Sequence, residues 1–395
     1  MEVLRVIGSM APSSGGPCHG IRNLIPELQK LGVNNEVVSL NDPSSMSFEN
    51  DSFKVNTLGP GISPWRYSRR LFPWLVENLG RFDVVIVHGL WLYHGYAVMR
   101  ALQHFKKENG FPAPKLYIMP HGMLDPYFQK ARNRKFKALR NWFFWKFIES
   151  KVVNRADGLL FTCEQELLLA RETFRPYNPK NEINIGYGVE VPPRHDISFQ
   201  HEFLKKCPQV KDRAYLLYLG RIHPKKGVDD LLKAFRRTRK EMPNVPDLVI
   251  AGPGLESKFG KAMWKLAGND PVYFPGMLEG PAKWGAFQGC EAFVLPSHQE
   301  NFGIAVVEAM ACKRAVLITN KVNIHREVEI SGSGLVENDN KSGVNLLLRK
   351  WINMTEKEKK GMGEKAGKLF ERQYETRPAA IRFQKEISSS QGSYS

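Results

Sequence analysis

Short apolar runs alternate with amphipathic helical stretches from one end of this 395-residue chain to the other, and that alternation most narrows its fold. In the first half, strands are predicted at Val3–Gly8, Asn35–Leu40, Val84–His88, Lys115–Pro120, Gly158–Thr162 and Ile183–Ile185. Helical patterns lie between them at Gly20–Leu31, Tyr96–Lys107 and Glu164–Phe174. The rhythm restarts with strands at Ala214–Leu219, Asp247–Ala251, Val272–Phe274, Ala292–Leu295 and Ala315–Ile318, and helices near Val228–Glu241, Glu256–Lys265, Phe302–Ala311 and Thr355–Arg372. Runs apolar at consecutive positions suit strands buried on both faces, and helices between them indicate a parallel, doubly wound sheet. Two series imply two α/β domains, expected over 1–191 and 213–374. Pro192-Pro193 and the charged stretch up to Lys211 make 192–212 the expected linker. Ala380, Ile381, Phe383 and Ile387 predict a helix over 375–390, packed back on the first domain, and the last residues are expected to fray.

With 42% hydrophobic and 25% charged residues the chain is neither disordered nor fibrous. No window approaches the roughly 18 consecutive apolar residues of a spanning helix. The first apolar run is interrupted by Arg5 and soon reaches Ser13-Ser14-Gly15-Gly16, unlike a signal peptide. Cysteines 18, 163, 207, 290 and 312 contain no C-x-x-C pair, so neither a disulfide framework nor a zinc site is expected, and a reducing cytoplasm is the expected compartment. The 57 Lys and Arg against 40 Asp and Glu leave a net +17, which favours a phosphate-bearing substrate, an anionic lipid surface or nucleic acid.

Three segments of the second series carry candidate chemistry. In Pro296-Ser-His-Gln-Glu300-Asn301-Phe302-Gly303-Ile304 through Glu308, a buried strand gives way to a loop and then a helix, whose first N–H groups can meet an anion. Glu300 and Glu308 lie at most ~12 Å apart if the segment is helical throughout. Carboxylates so placed accept hydrogen bonds from sugar or ribose hydroxyls, although the spacing alone equally describes two solvated glutamates. Gly220-Arg221-Ile-His-Pro-Lys225-Lys226-Gly227 follows the first strand of this series, where open α/β sheets bind ligands. Arg221 and Lys226 could both reach a diphosphate there, or simply form a basic turn. Gly252 and Gly254 follow the next strand, as backbone close to a ligand or as a tight turn.

In the first domain, Gly15 and Gly16 lie between the first strand and a helix, a phosphate-loop candidate that matches neither G-x-G-x-x-G nor the G-K-[ST] form. His121, in Pro120-His-Gly122, ends the fourth strand, and His88 stands at the same level on a neighbouring one. Two histidines at adjacent strand ends are a candidate site; either alone is as well explained by structure.

Taken in order along nearly the whole chain, these motifs resemble the retaining glycosyltransferases of family 4 (glycosyl transferases group 1). That family has the GT-B fold, two Rossmann-like domains facing a cleft. Gly15-Gly16 matches its glycine loop, Pro120-His121-Gly122 its acceptor-side histidine loop, and Gly186-Tyr187-Gly188-Val189 its N-G-V segment, with Tyr187 in place of asparagine. Asn301 and Lys313 stand where glycines are frequent. The resemblance implies that Glu308 holds ribose hydroxyls and Glu300 donor-sugar hydroxyls, with Asn301, Phe302, Gly303 and Ile304 supporting the same region. Arg221 and Lys226 would neutralise the diphosphate near Gly252 and Gly254. Gly15 and Gly16 would approach the donor from the first domain, His121 would lie beside the transferred sugar, and His88 on the acceptor side. The activity implied is retaining hexosyl transfer from a UDP- or GDP-sugar to a glycan or lipid-linked acceptor, in surface polysaccharide biosynthesis. The nucleotide-sugar is a co-substrate. No D-x-D motif stands at a strand end, so neither a metal nor another cofactor is expected. Alternatives are a sugar-nucleotide epimerase on the same fold and a non-catalytic glycan- or membrane-binding relative.

The excess charge concentrates in two aromatic-rich segments, 129–155 and 62–74. Between Gln129 and Arg155 nine Lys or Arg accompany one acid, Glu149, around Trp142-Phe-Phe-Trp145-Lys-Phe147. Such composition suits an anionic membrane surface, with Trp142 or Trp145 inserting, and equally suits aromatics packed inward under a solvated basic helix. Contact with the inner face of the cell membrane is expected. No nucleic-acid-binding motif is present, so no nucleic-acid partner is expected.

Overall fold

Among the described residues thirteen strands, most of them rich in β-branched and other apolar residues, form two separate sheets. The structure, a computed structural model, describes residues 1–44, 48, 51–109, 113–130 and 135–389. The first sheet holds β1 (Glu2–Ile7), β2 (Asn34–Ser39), β3 (Lys54–Thr57), β4 (Val84–His88), β5 (Lys115–Met119), β6 (Gly158–Phe161) and β7 (Glu182–Asn184). Its order is β3-β2-β1-β4-β5-β6-β7, and the pairs are parallel, with Val3 beside Val84 and Ile7 beside His88. The second holds β8 (Tyr215–Leu219), β9 (Asp247–Ala251), β10 (Val272–Gly276), β11 (Ala292–Leu295), β12 (Ala315–Thr319) and β13 (Gly334–Glu337) in the order β10-β9-β8-β11-β12-β13, again parallel. Strand order reverses between β1 and β4 and between β8 and β11, the points where doubly wound sheets bind ligands.

The central strands were legible because they are buried on both faces: β4 and β9 are buried along their whole length. The edge strands β3 and β13 escaped the sequence reading. Lys-Val-Asn-Thr and Gly-Leu-Val-Glu are mostly half-buried and carry polar residues, as edges do.

The chain forms two units, Met1–Gly188 together with the segment from Thr376, and Val189–Glu375. Helix Thr376–Ser389 belongs to the first unit and lies on helix Gly16–Lys30 with Ala380, Phe383 and Ile387 buried. Segment 192–212, expected as a linker, instead contains helix Ile197–Lys206, which packs on helix Gly280–Gly289 within the second unit. Asp196 caps it by accepting from the Ser198 N–H, a contact worth ~1 kcal/mol, and Phe203 is its one buried side chain. A single anchor leaves no 3.6-residue periodicity for a sequence reading to find.

Candidate active site

In the second unit three loops at the carboxyl ends of β8, β9 and β11 form one rim. The Ile222 N–H donates to the Pro253 carbonyl at 2.8 Å, and the His298 N–H to the Lys225 carbonyl at 2.9 Å. Gly220, Gly252 and Gly254 thereby stand beside Arg221 and Lys226. Gly227 starts helix Val228–Glu241 with φ +67°, and a Cβ there would sit 2.0 Å from the Pro296 carbonyl oxygen. Only glycine lets the basic loop lie so close to the loop that carries Glu300.

That approach brings Lys226 Nζ into contact with Glu300 Oε2, both side chains four-fifths buried. Burial, then the positive charges of Lys225 and Arg221, pull the Lys226 ammonium down to about 7. The Glu300 carboxylate in contact with it acts in the opposite direction, favouring the charged form. Arg221 is exposed on the same rim. Backbone bonds from the Glu300 N–H to the Lys321 carbonyl (2.9 Å) and from the Asn323 N–H to the Glu300 carbonyl (3.0 Å) pin Glu300. Asn323 Nδ2 donates to Asn301 Oδ1 at 3.4 Å.

Gly303, at φ +79°, turns the chain into helix Ile304–Ala311, whose first turn has no side-chain cap and no acidic residue. Its leading N–H groups point out of the helix start as an anion site would need. Phe302 is buried and packs edge-to-face on Tyr374, ring centroids 5.5 Å apart, so its backbone rather than its ring borders the site. Half-buried Ile304 follows at the first helical position. Glu308, one turn further along, is not a solvated surface acid. Lys283 Nζ lies 2.8 Å from its Oε1, while the same ammonium sits 4.2 Å from the Trp284 ring centroid. Lys283 was invisible to the sequence reading because it reaches Glu308 from a separate helix; Gly-Pro-Ala-Lys283-Trp284 has no motif to betray it.

In the first unit, Gly15 and Gly16 lead from the short turn Pro12–Ser14 into helix Gly16–Lys30. Tyr187 reaches back to this loop, its hydroxyl donating to the Gly16 carbonyl at 2.5 Å. Tyr187, one of the residues that depart from the family pattern, thus fastens the glycine loop within this unit. At the ends of β4 and β5 the rings of His88 and His121 stack, centroids 5.2 Å apart, with His88 Nδ1 3.0 Å from His121 Nε2. Burial and then the Arg5 charge lower His121 to about 3, and burial followed by His121, Arg5 and His94 lowers His88 well below the ordinary range. Both are neutral at physiological pH. A cavity of ≈ 20 Å³, room for about one water, is lined by Arg5, Gly20, His88, His121, Gly186 and Tyr187 among others. His121 has φ +52°, and the next N–H, that of Gly122, donates to the buried Glu166 at 2.5 Å. Glu166 also accepts from the Thr162 N–H and hydroxyl. Arg5 and Glu166 are supports the sequence reading missed. Thr162 four residues before Glu166 was the available signal for one of them; the break that Arg5 makes in an apolar strand was the signal for the other.

Of the two aromatic-basic segments, 62–74 turns its Trp65, Phe72 and Trp74 onto the core. In 129–155, the residues 131–134, Arg132 and Arg134 among them, lie outside the described residues. Trp145 is 1% exposed and stacks on Phe174 at 4.7 Å, so it is a core residue and not an inserting one. Burying such a ring contributes roughly 3–5 kcal/mol relative to Ala. The exposed apolar stripe is instead Phe136 (92%), Leu139 (56%), Trp142 (48%), Phe143 (48%) and Phe147 (58%). Lys146 lies over both Trp142 and Phe147. Among the described residues no helix is long and apolar enough to cross a membrane, and no three His, Cys, Asp or Glu side chains gather as a ligand set for a metal.

Two doubly wound parallel sheets, one rimmed by paired cations and carboxylates at its switch point, define the two-domain α/β class of the GT-B glycosyltransferases. Residues 199–369 match the family described as glycosyl transferases group 1, and residues 15–182 the glycosyl transferase 4-like domain. The chain belongs to this glycosyltransferase family. It is 26% identical over 208 residues to O-antigen chain mannosyltransferase C of Escherichia coli, an alignment covering 51% of this chain and 53% of the relative. To the lipopolysaccharide 1,2-N-acetylglucosaminetransferase of Salmonella typhimurium it is 31% identical over 193 residues, 46% of this chain and 49% of the relative. The chain thus spans about half the length of these two relatives. The Anabaena protein Alr3699/HepE, solved with UDP and glucose, shares the fold with a TM-score of 0.73 at 16% identity, covering 98% of this chain and 100% of that one.

Proposed function

We propose that the chain moves a hexose, with retention, from a UDP- or GDP-sugar to a hydroxyl of a glycan or lipid-linked acceptor in surface polysaccharide biosynthesis. The observation that carries this reading is the rim of the second unit, where Arg221 and the Lys226–Glu300 pair stand on the loops beyond β8 and β11, with the Lys283–Glu308 pair on helices Gly280–Gly289 and Ile304–Ala311. Breaking the bond between the sugar C1 and the diphosphate oxygen puts negative charge on the leaving phosphate. Arg221, Lys226 and the uncapped helix start at Gly303 are the groups that stabilise it, without a metal. The acceptor oxygen bonds to C1 on the face the phosphate leaves, and the acceptor proton passes to the phosphate. Glu308 accepts from ribose hydroxyls, with Lys283 holding the carboxylate in place. Glu300 accepts from sugar hydroxyls through the oxygen that Lys226 leaves open. Within the first unit, Gly15 and Gly16 are the candidate phosphate-loop residues, and His121 and His88 the candidate sugar- and acceptor-side ones.

The names of the two bacterial relatives support a surface-glycan acceptor, and the Anabaena structure's ligands support UDP as one candidate nucleotide. The exposed stripe from Phe136 to Phe147, flanked by Lys135, Lys137, Arg140 and Lys146, supports peripheral contact with an anionic membrane at its cytoplasmic face.

Incubation with a panel of UDP- and GDP-hexoses and lipid-linked or oligosaccharide acceptors tests this function. Release of the nucleoside diphosphate together with a glycoside of the donor's anomeric configuration is expected. An epimerised sugar without glycoside, or an inverted glycoside, would overturn it. Binding to anionic vesicles should exceed binding to neutral ones and fall with salt, and Phe136→Ser with Phe143→Ser should release the protein; equal binding by that variant would remove the stripe from the account.

A further inference from the structure

The first unit buries a guanidinium where no carboxylate meets it. Arg5 is 1% exposed in the middle of β1 and has no ion pair among the described residues. Its Nε donates to Asn35 Oδ1 at 2.8 Å, and its Nη1 lies 3.3 Å from His88 Nε2. A guanidinium can only donate, so Nε2 of His88 is the acceptor and carries no proton. A neutral imidazole with a bare Nε2 holds its proton on Nδ1. That atom lies 3.0 Å from His121 Nε2, which must therefore accept in turn. The proton of His121 is left on its own Nδ1.

We propose that Arg5 and His88 are positioning residues, a hydrogen-bond chain that fixes His121 as the Nδ1–H tautomer, so that His121 meets a sugar hydroxyl as a donor and not as a base. The inference deepens the reading of His121 as a sugar-side residue and rests on it for its functional half. The surroundings hold the chain in place. His94 lies 2.9 Å by its Nε2 from the His88 carbonyl and fixes the backbone there. Glu166 clamps the N–H after His121. Arg5 supplies positive charge, and with burial it opposes a second proton on either ring. Arg5 itself, pulled down to about 9 by burial, stays charged at neutral pH and so stays a donor. The polarity of the chain thus runs one way, from a group that cannot accept to a ring left with one N–H to offer.

The test is long-range proton–nitrogen NMR on the ¹⁵N-labelled protein, which separates the two tautomers and the imidazolium without requiring activity. At neutral pH wild type should show His88 and His121 both protonated on Nδ1 and bare on Nε2. Arg5→Met, which keeps the side-chain bulk and loses the donor, should let His121 populate the Nε2–H form, and Arg5→Lys should restore Nδ1–H. Should Arg5→Met fail to fold, the wild-type spectrum alone decides. His121 protonated on Nε2, or doubly protonated at pH 7, overturns the proposal, as does a folded Arg5→Met with an unchanged His121 spectrum. Transfer assays separate the two halves: Arg5→Met should lower kcat with donor KM little changed, and Arg5→Lys should recover it. If His121→Ala transfers like wild type while the spectra hold, the sugar-side reading of His121 fails and the tautomer assignment stands.

Discussion

Replacing Glu300 by Gln keeps the side chain's shape and removes the charge in contact with Lys226. Burial, Lys225 and Arg221 draw that ammonium down to about 7, and the Glu300 carboxylate in contact with it favours the charged form. Two unit charges ~4 Å apart interact by ~4 kcal/mol at an effective dielectric of ~20. A cation is needed against the leaving phosphate, so activity is present below the Lys226 pKa and lost as pH rises through it. Without the Glu300 carboxylate this loss moves to lower pH than in wild type. The assay is kcat/KM for donor turnover across roughly pH 6 to 10, because that parameter reports the groups of the free enzyme. Glu300→Gln also lowers activity at every pH if Glu300 binds the sugar, so the position of the alkaline limb is the readout, not its height. Adding Lys226→Arg, whose charge does not titrate in this range, should carry the limb back up. Coincident alkaline limbs for wild type and Glu300→Gln would refute the reasoning, since the Lys226 proton would then not depend on Glu300.

Arg221→Ala should lower kcat by the equivalent of ~2–4 kcal/mol, by analogy with the loss of one oxyanion donor, and wild-type turnover would remove Arg221 from the mechanism. Glu149 is buried, accepts from the Trp91 N–H at 2.8 Å, and is pushed up to about 7 by burial from an ordinary 4.5. A carboxyl raised in the folded state binds more protons there than in the unfolded chain, so stability falls as pH rises from about 4.5 to about 7. Glu149→Gln should therefore raise Tm at about pH 8, by up to ~3 kcal/mol in stability, and lose most of that gain at about pH 4.5; calorimetry showing the same difference at both would contradict this. Transfer should survive EDTA, whereas loss on chelation with recovery on Mg²⁺ or Mn²⁺ would put a metal where Arg221 and Lys226 are assigned.

The fold was legible where burial writes itself into composition. Val84–His88 and Asp247–Ala251 are apolar on both faces because helices cover both, whereas Lys54–Thr57 and Gly334–Glu337 lie at sheet edges and carry little of that signal. The rim was legible because Arg221, Lys226 and Glu300 lie on the segments that follow strands β8 and β11, and chain order alone puts them at one edge of the sheet, with Glu308 on the helix that comes next. Their partners were not. Lys283 meets Glu308 only through the packing of a separate helix, and whether Lys226 faces Glu300 depends on how closely Gly227 lets two loops approach. Trp145 and Trp142 show the same limit at the surface. They are three residues apart in one aromatic run, yet the first is core and the second half-exposed, because the edge of the buried face falls between them and composition does not mark it.

The central claim, that the second unit takes a nucleotide-sugar with Glu308 on the ribose, is tested most directly by thermal shift against UDP- and GDP-hexoses. A ligand at ~100 times its Kd stabilises the folded state by ~2.7 kcal/mol. One UDP- or GDP-hexose should raise Tm in wild type accordingly, and Glu308→Ala, still folded, should lose most of that rise measured against its own ligand-free Tm. No stabilisation by any member of the panel, or an equal rise in Glu308→Ala, would contradict the account.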